Sequence, residues 1–416
     1  MKKFDAEYDI IIVGAGPAGL SAGAVASELG AKIAVVDDNP IVGGQLIKQT
    51  HKFFGSKSHY CGVRGIDIAK ILEEKVHPAP ISTSECNDAQ KSNVTEAPIE
   101  NRCRVTLLLD ASVIGYYEDN ILGVIQKDRF MKLYAPKIIF ATGAAENLIA
   151  FPNNDLPGVY GAGAVQTLMN VHGVRPGNRA LMVGSGNIGL IVSYQMMQAG
   201  IDVVALIEIL PKIGGYNVHA AKLRRLGVPI LVSHTIRYAI GNPALISTER
   251  LGKNSRKVEG TNIDLKIGAG CVTGAVIAKV NNQFQPIKGT DKRLKVDMIC
   301  LAVGLTPLSE LLYQAGCEVV YVSELGGNVA WHNENMETSK PGIFVAGDAS
   351  GIEEASTAML EGRIAGASAY ESLYGKNPQA QEIIEAAKKE LEEIRQGPFG
   401  TKPRLGKEKL SKIVFK

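Results

Sequence analysis

A glycine-rich motif occurs twice in this chain, first as Gly14-Ala15-Gly16-Pro17-Ala18-Gly19 and later as Gly184-Ser185-Gly186-Asn187-Ile188-Gly189. Each copy follows a β-branched run typical of a central strand and precedes a pattern typical of a helix. In such a turn the first glycine permits the tight bend, the second lets a pyrophosphate approach the backbone, and the third lets the helix pack close to the strand. The N–H groups and positive dipole end of the helix stabilise the phosphates. The pattern favours two dinucleotide sites over two ordinary strand-to-helix turns.

An acidic residue stands at the end of the next strand after each motif. Asp37 and Asp38 follow the first copy, and Glu208 follows the second, each about 20 residues on, where a carboxylate can accept the ribose hydroxyls. An acid after the second copy favours NAD(H) over NADP(H), because a 2′-phosphate would meet a negative charge. Lys212 and Arg224 lie close enough in sequence to serve a 2′-phosphate, so NADP(H) stays an alternative.

Three further buried strands end at glycine. One ends in Ala141-Thr142-Gly143, a second ends at Gly304, and a third ends in Gly347-Asp348 ahead of a long helix. The Gly347-Asp348 strand returns the chain to the first domain, and the second motif has no counterpart of that element. We therefore predict a domain of residues 1–150 and 325–375 that is interrupted by a second domain of residues 151–324.

Length and composition bound the remaining possibilities. The 416 residues exceed what one hydrophobic core usually serves, and a net charge of +3 without a block of Lys and Arg disfavours nucleic-acid binding. The first strand begins almost at once, which leaves no room for a signal peptide, and no apolar run reaches about 18 residues. We expect a cytoplasmic protein without a membrane span. Within the C-terminal segment 376–416, residues 376–396 predict an amphipathic charged helix, and the last twenty residues, which are basic, are expected to be a solvated appendage.

The six cysteines are scattered, with no C-x-x-C pair and no metal spacing: Cys61, Cys86, Cys103, Cys271, Cys300 and Cys317. They are expected to be reduced, mostly structural thiols, and no metal site is predicted. Disulfide reduction by a flavin needs two neighbouring cysteines, so this chemistry is disfavoured. Residues 79–103 are polar and contain Pro, Ser and Asn, which predicts a surface excursion between strands.

Together the motifs resemble the two-dinucleotide-binding flavoprotein superfamily, over about residues 8–375. The resemblance implies an α/β fold of two Rossmann-like three-layer domains, with the NAD(P) domain inserted into the FAD domain. It also implies that Asp348 hydrogen-bonds the flavin ribityl chain and that Asp37 or Asp38 binds the adenosine ribose. The cofactor-binding residues predicted for FAD and NAD(H) are Gly14, Gly16, Pro17, Ala18, Gly19, Asp37, Asp38, Gly44, Gln45, Ala141, Thr142, Gly143, Gly184, Gly186, Asn187, Ile188, Gly189, Glu208, Gly304, Gly347 and Asp348.

Two segments make the resemblance narrower. Gly43-Gly44-Gln45-Leu46 and Asp155-Leu156-Pro157-Gly158-Val159-Tyr160 are similar to segments in the flavoprotein subunits of amine and imino-acid dehydrogenases, such as sarcosine oxidase α, dye-linked proline dehydrogenases, opine oxidases and hydrogen cyanide synthase. Disulfide reductases carry a Gly-Gly-Thr-Cys element where this chain has Gly43-Gly44-Gln45-Leu46. The missing cysteine removes their chemistry.

The resemblance implies hydride transfer between NAD(H) and FAD, in an oligomer or with a partner dehydrogenase or electron-transfer subunit that oxidises an amine, imino acid or alcohol. A stand-alone NADH oxidase or reductase is an alternative, and so is a flavin subunit whose second nucleotide site is structural or regulatory. The helix predicted after Gly44 carries Gln45, Lys48 and His51, which are the candidate catalytic residues. Lys48 beside the flavin would raise its potential, and His51 could be a general base.

Overall fold

The computed structural model describes residues 3–53, 57–76, 104–241, 255–257, 264–266, 270–397 and 400–413. The chain divides into a first unit of residues 1–145 and 305–416 and a second unit of residues 146–304. The predicted surface excursion at residues 79–103, with Cys86 and Cys103, lies outside the described residues.

The N-terminal part of the first unit contains nine strands, the last of which reaches the unit boundary, and two α-helices among its described residues. They are β1 (Ala6–Glu7), β2 (Ile10–Val13), α1 (Pro17–Glu28), β3 (Ile33–Val36), α2 (Gly65–Val76), β4 (Val105–Leu108), β5 (Ala111–Tyr117), β6 (Ile121–Gln126), β7 (Arg129–Tyr134), β8 (Lys137–Phe140) and β9 (Ala144–Glu146). The same described residues include short 3-10 helices at Gly44–Lys48, Lys57–His59 and Glu118–Asn120. The helix predicted to run from Gly44 through His51 is therefore a single 3-10 segment that ends at Lys48.

The second unit has strands and helices in the following order. They are β10 (Val159–Gly161), α3 (Ala162–Gln166), β11 (Arg179–Val183), α4 (Asn187–Gln198), β12 (Asp202–Glu208), α5 (Asn217–Arg225), β13 (Ile230–Val232), β14 (His234–Gly241), β15 (Ser255–Lys257), β16 (Asp264–Lys266), β17 (Val272–Lys279), β18 (Lys292–Leu294) and β19 (Met298–Leu301). One π-helical turn, Thr167–Val171, follows α3.

The chain then returns to the first unit and ends in three long helices. These elements are β20 (Leu305–Pro307), α6 (Glu310–Gln314), β21 (Val319–Val322), β22 (Gly327–Ala330), β23 (Ile343–Val345), α7 (Ala355–Tyr374), α8 (Pro378–Arg395) and α9 (Thr401–Ser411), with 3-10 turns at Ser323–Leu325 and Gly347–Ser350. Residues 305–324, assigned to the inserted domain from the sequence, group with the first unit, since Leu312 of α6 and Ala315 just after it lie in its core.

The first unit has three layers around a parallel sheet in the order β23-β8-β2-β3-β4. Alternate residues of β2 and β3 point to opposite faces, as the two-residue period of a strand requires. Ile10 and Ile12 pack against α1, α2 and α7, whereas Ile11 and Val13 pack toward the sheet β1-β7-β6-β5. Both faces of the parallel sheet are covered, which explains its near-continuous apolar strands.

The second unit repeats this plan with the parallel order β10-β19-β11-β12-β13. Ala180 and Met182 of β11 face α4 and α5, while Leu181 and Val183 face the antiparallel sheet β14-β17-β18. The predicted fold class is confirmed: each unit is a three-layer Rossmann-like α/β domain, and the second is inserted into the first.

The C-terminal segment contains the predicted amphipathic helix, but its last twenty residues differ from the solvated appendage that the sequence predicted. Helix α8 covers the predicted amphipathic segment and buries Ile384 and Leu391 in the core of the first unit. Helix α9 buries Gly406 and Leu410, and Leu410 packs with Leu325 and Val329. Gly406 and Leu410 are four residues apart and share one helix face, so a sequence that is basic overall still presents an apolar contact.

Candidate functional site

The first glycine turn, Gly14–Gly19, connects β2 to α1 at the carboxyl end of the parallel sheet. Gly14 has a φ of 107° and donates its N–H to Val36 at 2.8 Å. The backbone of Ala141 lies directly against Gly14, and the Ala141 N–H donates to Val13 at 2.8 Å. Gly16 has extended backbone angles, and a Cβ added there would meet nothing within 4 Å. The turn thus leaves open space above the N-terminus of α1, where N–H groups lack intrahelical partners.

Asp37, rather than Asp38, contacts this turn. One oxygen of the buried Asp37 carboxylate accepts a 2.5 Å hydrogen bond from the Ala15 N–H, and the other accepts from the backbone and side chain of Asn39, both at 2.9 Å. Asp38 is exposed. Since the oxygen that accepts from Ala15 has a second lone pair, Asp37 keeps acceptor capacity for a ribose.

The loop Gly43–Gly44 lies over the first turn. The Gly43 N–H donates to Ala15 at 2.8 Å, and a Cβ on Gly44 would come within 2.9 Å of the Gly16 Cα. Only a residue without a side chain permits this approach. Gln45 and Lys48 lie on one face of the following 3-10 helix, which has three residues per turn.

His51 lies beyond the end of that helix. Its ring stacks on Phe53 with 5.9 Å between the ring centroids. The candidate catalytic residues Gln45, Lys48 and His51 therefore share one short segment of the first unit, but His51 does not continue the helical face of the other two.

Two more predicted segments meet the first turn. The hydroxyl of Thr142 donates to Leu308 at 2.8 Å, and Gly143 accepts from the Leu308 N–H at 3.0 Å, so the segment after β8 is anchored. A Cβ on Gly347 would lie 2.9 Å from the Ala18 Cβ. The turn after β23 therefore packs directly on the first helical turn of α1.

Asp348 lies in the 3-10 turn Gly347–Ser350, and its side chain is partly exposed. Burial is the main reason that its pKa is raised to about 6, and the neighbouring carboxylates Glu361 and Glu353 act in the same direction. A 3.3 Å hydrogen bond from the Glu353 N–H and the charge of Lys407 act in the opposite direction and lower the pKa. Once ionised, this carboxyl group can accept hydrogen bonds from hydroxyl groups.

The second glycine turn, Gly184–Gly189, reproduces the first. Gly184 has a φ of 106° and donates to Ile207 at 2.8 Å. The buried Glu208 carboxylate accepts from the Ser185 N–H at 2.9 Å and from the Ser185 hydroxyl at 2.6 Å, and its other oxygen accepts from Leu210 at 3.0 Å. Gly186 again faces open space, since a Cβ there would meet nothing within 4 Å.

The glycine pair Gly214–Gly215 in the second unit was not among the residues predicted from the sequence. Gly215 donates its N–H to Ser185 at 2.9 Å, and a Cβ on Gly215 would lie 2.7 Å from the Asn187 N atom. The segment Pro211-Lys212-Ile213-Gly214-Gly215 follows Glu208 at the spacing with which Pro40-Ile41-Val42-Gly43-Gly44 follows Asp37. That repeat was visible in the sequence and would have identified the loop.

The other predicted residues of the second turn are only partly engaged. The Asn187 side chain accepts from the Tyr216 N–H at 2.8 Å, which ties the glycine-pair loop to the start of α4. Ile188 is exposed. Ala302 lies against Gly184 as Ala141 lies against Gly14, and Gly304 follows it with a positive φ, so Gly304 corresponds to Gly143.

The second unit also has an element where the first has β23, contrary to the expectation from the sequence. Strand β10 takes that edge position and is followed by α3. The Glu146 carboxylate accepts from the Gly163 N–H at 2.6 Å and from the Ala164 N–H at 3.3 Å. The acid comes from outside the β10–α3 turn, so no strand-plus-acid motif signals it, and these bonds cap α3.

Lys212 and Arg224, the two side chains that could bind the 2′-phosphate of NADP(H), are both exposed. Lys212 lies in the loop after β12, and Arg224 lies in the last turn of α5. Of the cysteines in the described residues, Cys61 and Cys271 are exposed and Cys300 and Cys317 are buried, all as free thiols. No helix within the described ranges is long and apolar enough to cross a membrane.

Comparison with known proteins identifies related chains. A family model described as pyridine nucleotide-disulphide oxidoreductase matches residues 8–362. An opine oxidase subunit from Agrobacterium tumefaciens (strain Ach5) is 26% identical over 366 residues, which cover 88% of this chain and 66% of the relative. The chain thus spans just under two thirds of that relative's length.

Two solved structures share the fold. Thioredoxin reductase of T. acidophilum has a TM-score of 0.62 at 18% identity, with 88% of this chain and 98% of that chain covered. L-proline dehydrogenase from P. horikoshii has a TM-score of 0.62 at 19% identity, with 94% and 60% covered. The resemblance to two-dinucleotide-binding flavoproteins is confirmed at the level of family and fold.

Proposed function

This chain belongs to the pyridine nucleotide-disulphide oxidoreductase family, and on that basis we propose that it is an FAD-dependent oxidoreductase that exchanges hydride with NAD(H). The first unit would bind FAD and the second would bind NAD(H). The proposal rests on an arrangement that occurs in both units: an open glycine turn whose backbone N–H donates a hydrogen bond to a buried acid. The donor and acceptor are Ala15 and Asp37 in the first unit and Ser185 and Glu208 in the second.

The residues of the first unit fit FAD. The open face at Gly16 and the N-terminus of α1 suit a pyrophosphate, and Asp37 suits an adenosine ribose. Asp348, on the turn that packs against Ala18, would hydrogen-bond the ribityl chain. The second unit lacks an acid of its own on the turn after β10, and this asymmetry supports the proposal of FAD in the first unit and NAD(H) in the second.

The flavin, when bound, supplies the hydride chemistry, and the protein supplies binding and orientation. Gln45 and Lys48 follow the glycine pair that lies over the first turn, so they are the side chains we propose beside the flavin, with His51 as a candidate base. Glu208 accepts two hydrogen bonds from Ser185 and would select NAD(H) by repelling a 2′-phosphate.

The organic substrate and the partner belong to the same proposal. The opine oxidase relative is by its name one subunit of an oxidase, and L-proline dehydrogenase acts on an imino acid. We infer that this chain is the flavoprotein subunit of an amine, imino-acid or alcohol dehydrogenase. Co-purification of a second subunit would separate this assignment from a stand-alone NADH oxidase.

Flavin uptake by Gly16→Ala and Gly186→Ala tests the assignment of FAD to the first unit. Both glycines have backbone angles that alanine adopts, and the added Cβ meets no atom of the protein within 4 Å, so both variants should fold. We expect one FAD per chain in the wild type and in Gly186→Ala, and affinity lowered by about tenfold or more in Gly16→Ala, because the second glycine of the motif admits the pyrophosphate. A wild-type protein that takes up no FAD would contradict the proposal.

A further inference from the structure

A buried cluster of charges lies behind the turn that carries Asp348. Glu361 of α7 is 2% exposed and accepts four hydrogen bonds or ion pairs: from the Gly347 N–H at 3.0 Å, the Ser350 hydroxyl at 2.7 Å, Arg395 at 2.8 Å and Lys407 at 2.9 Å. Gly347 and Ser350 are the first and last residues of the 3-10 turn. Glu361 therefore holds both ends of the turn.

Arg395 reaches the same turn by a second route. Its guanidinium pairs with the Glu353 carboxylate at 2.6 and 3.2 Å, and the backbone N–H of Glu353 donates to the Asp348 carboxylate at 3.3 Å. The side chain of Glu353 is 6% exposed, so this ion pair is shielded from water. Arg395 thus fixes the residue that provides a protein hydrogen bond to Asp348.

Lys407 of α9 completes the cluster. Its ammonium donates to the carbonyl of Ser350 at 3.1 Å, to the Ser350 hydroxyl at 2.8 Å and to His332 Nε2 at 3.1 Å. His332 donates its other ring N–H to Ala330 at 2.9 Å, and burial, followed by the charge of Lys407, lowers its pKa to about 3. Because this imidazole is neutral, it accepts from Lys407.

The charges of the cluster balance only if Asp348 is left out. The two negative charges of Glu361 and Glu353 are balanced by the two positive charges of Arg395 and Lys407, and His332 is neutral. The net charge of these five side chains is therefore zero, and Asp348 is an additional carboxyl group beside them. Burial opposes ionisation of Glu361, but Lys407 and Arg395 outweigh it and lower its pKa to about 2. Removing Lys407 would therefore leave uncompensated negative charge facing Asp348.

We propose that Lys407 and Arg395, on the last two helices, are positioning residues of the FAD site that act on Asp348 through Glu361 and Glu353. The inference rests on the proposed function, because it assigns Asp348 to FAD. It gives the C-terminal segment a role in flavin affinity: α8 and α9 supply the two cations that keep the Gly347–Ser350 turn in place and keep Asp348 able to ionise.

The variant Lys407→Gln removes the positive charge but keeps a hydrogen-bond donor, because the glutamine amide can still donate to Ser350. Lys409→Gln is the matched control: it lies on the same helix, is exposed and pairs with Glu324, which is not part of the cluster. FAD affinity would be measured across pH by fluorescence titration of the apoprotein. We expect Lys407→Gln to weaken FAD binding at least about tenfold and to move the acid midpoint of binding upward by about one pH unit, because loss of a cation raises the pKa of Asp348.

Two further variants distinguish the effect of the Lys407 charge from a loss of folding. Lys407→Arg should restore the midpoint, because it restores the charge. If Lys407→Gln does not fold, the charge-balanced double variant Lys407→Gln/Glu361→Gln removes the buried pair together. It should fold and keep the wild-type midpoint, because the charge beside Asp348 stays balanced, and a raised midpoint in this variant would overturn the inference. In the single variant Lys407→Gln, a purely structural role would lower the melting temperature without moving the pH midpoint, and that result would overturn the inference.

The two proposals fail in different ways. If the wild type binds FAD but Lys407→Gln and Lys409→Gln both match it in affinity and midpoint, only the positioning role is overturned. If the wild type binds no FAD, the proposed function is overturned with it.

Discussion

The Asp37 carboxylate lies 2.5 Å from the backbone nitrogen of Ala15, inside the first glycine turn. This hydrogen bond holds the acid at the edge of the open space above Gly16, whereas the exposed Asp38 accepts a hydrogen bond from the Asn39 side chain. A sequence with two adjacent aspartates could not distinguish them, but the geometry selects Asp37 as the ribose acid.

Substitution of Asp37 therefore has a specific expected result. Asp37→Asn should weaken FAD binding by about tenfold to hundredfold, since a hydrogen bond to a charged group contributes about 1.5–3 kcal/mol. Asp38→Asn is the matched control and should change affinity little. Titration of the apoprotein with FAD measures both, and equal losses in the two variants would refute the assignment.

Glu208 sets the expected nucleotide preference of the second unit. Glu208→Gln should raise the Kd for NADH about tenfold and narrow the preference for NADH over NADPH, because the carboxylate that would accept the ribose hydroxyls and repel a 2′-phosphate is gone. Lys212→Gln serves as the control, since Lys212 is exposed in the following loop. If Lys212→Gln weakened the binding of NADPH and Glu208→Gln left the binding of both nucleotides unchanged, the site would be one for NADP(H).

Asp348 makes the stability of the ligand-free protein depend on pH. Because burial raises its pKa from 3.8 to about 6, the native state retains a proton that the unfolded chain has released, so the free energy of unfolding falls as pH rises through that window. Asp348→Asn removes this dependence. We expect denaturation curves of variant and wild type to agree near the lower limit of the window and the variant to be more stable above it.

The pH dependence that Asp348 causes can be distinguished from that of its buried neighbour Glu361. Glu361 has its pKa lowered to about 2, so its contribution is complete above its ordinary value of 4.5 and is lost only as pH falls toward 2. A wild type and an Asp348→Asn variant with parallel curves between pH 3.8 and about 6 would show that Asp348 is not perturbed.

Features set by contiguous residues could be predicted from the sequence. The glycine turns, the strands before them and the acids after them depend on local backbone geometry and on a two-residue period, so both units and most of the turn residues were identified. The loop at Gly214–Gly215 was also within reach, since it repeats the segment at Gly43–Gly44.

The charge cluster could not be predicted in the same way. His332, Glu353, Glu361, Arg395 and Lys407 come from five separate places in the chain, and in sequence each resembles an ordinary surface charge. Only packing of α8 and α9 on the first unit brings them together. The basic C-terminal segment was expected to be solvated because a charge count does not show that Leu410 and Gly406 share one buried face.

We propose that the first glycine turn binds FAD, that the second binds NAD(H) and that hydride passes between these cofactors. Anaerobic stopped-flow mixing of the FAD-loaded protein with NADH tests it most directly, with the flavin absorbance as the signal. We predict rapid bleaching in the wild type and loss of rapid bleaching in Gly186→Ala at matched flavin content, because a Cβ there fills the open face of the second turn. A wild-type flavin that stays oxidised after NADH is added would refute hydride transfer from NADH to the flavin.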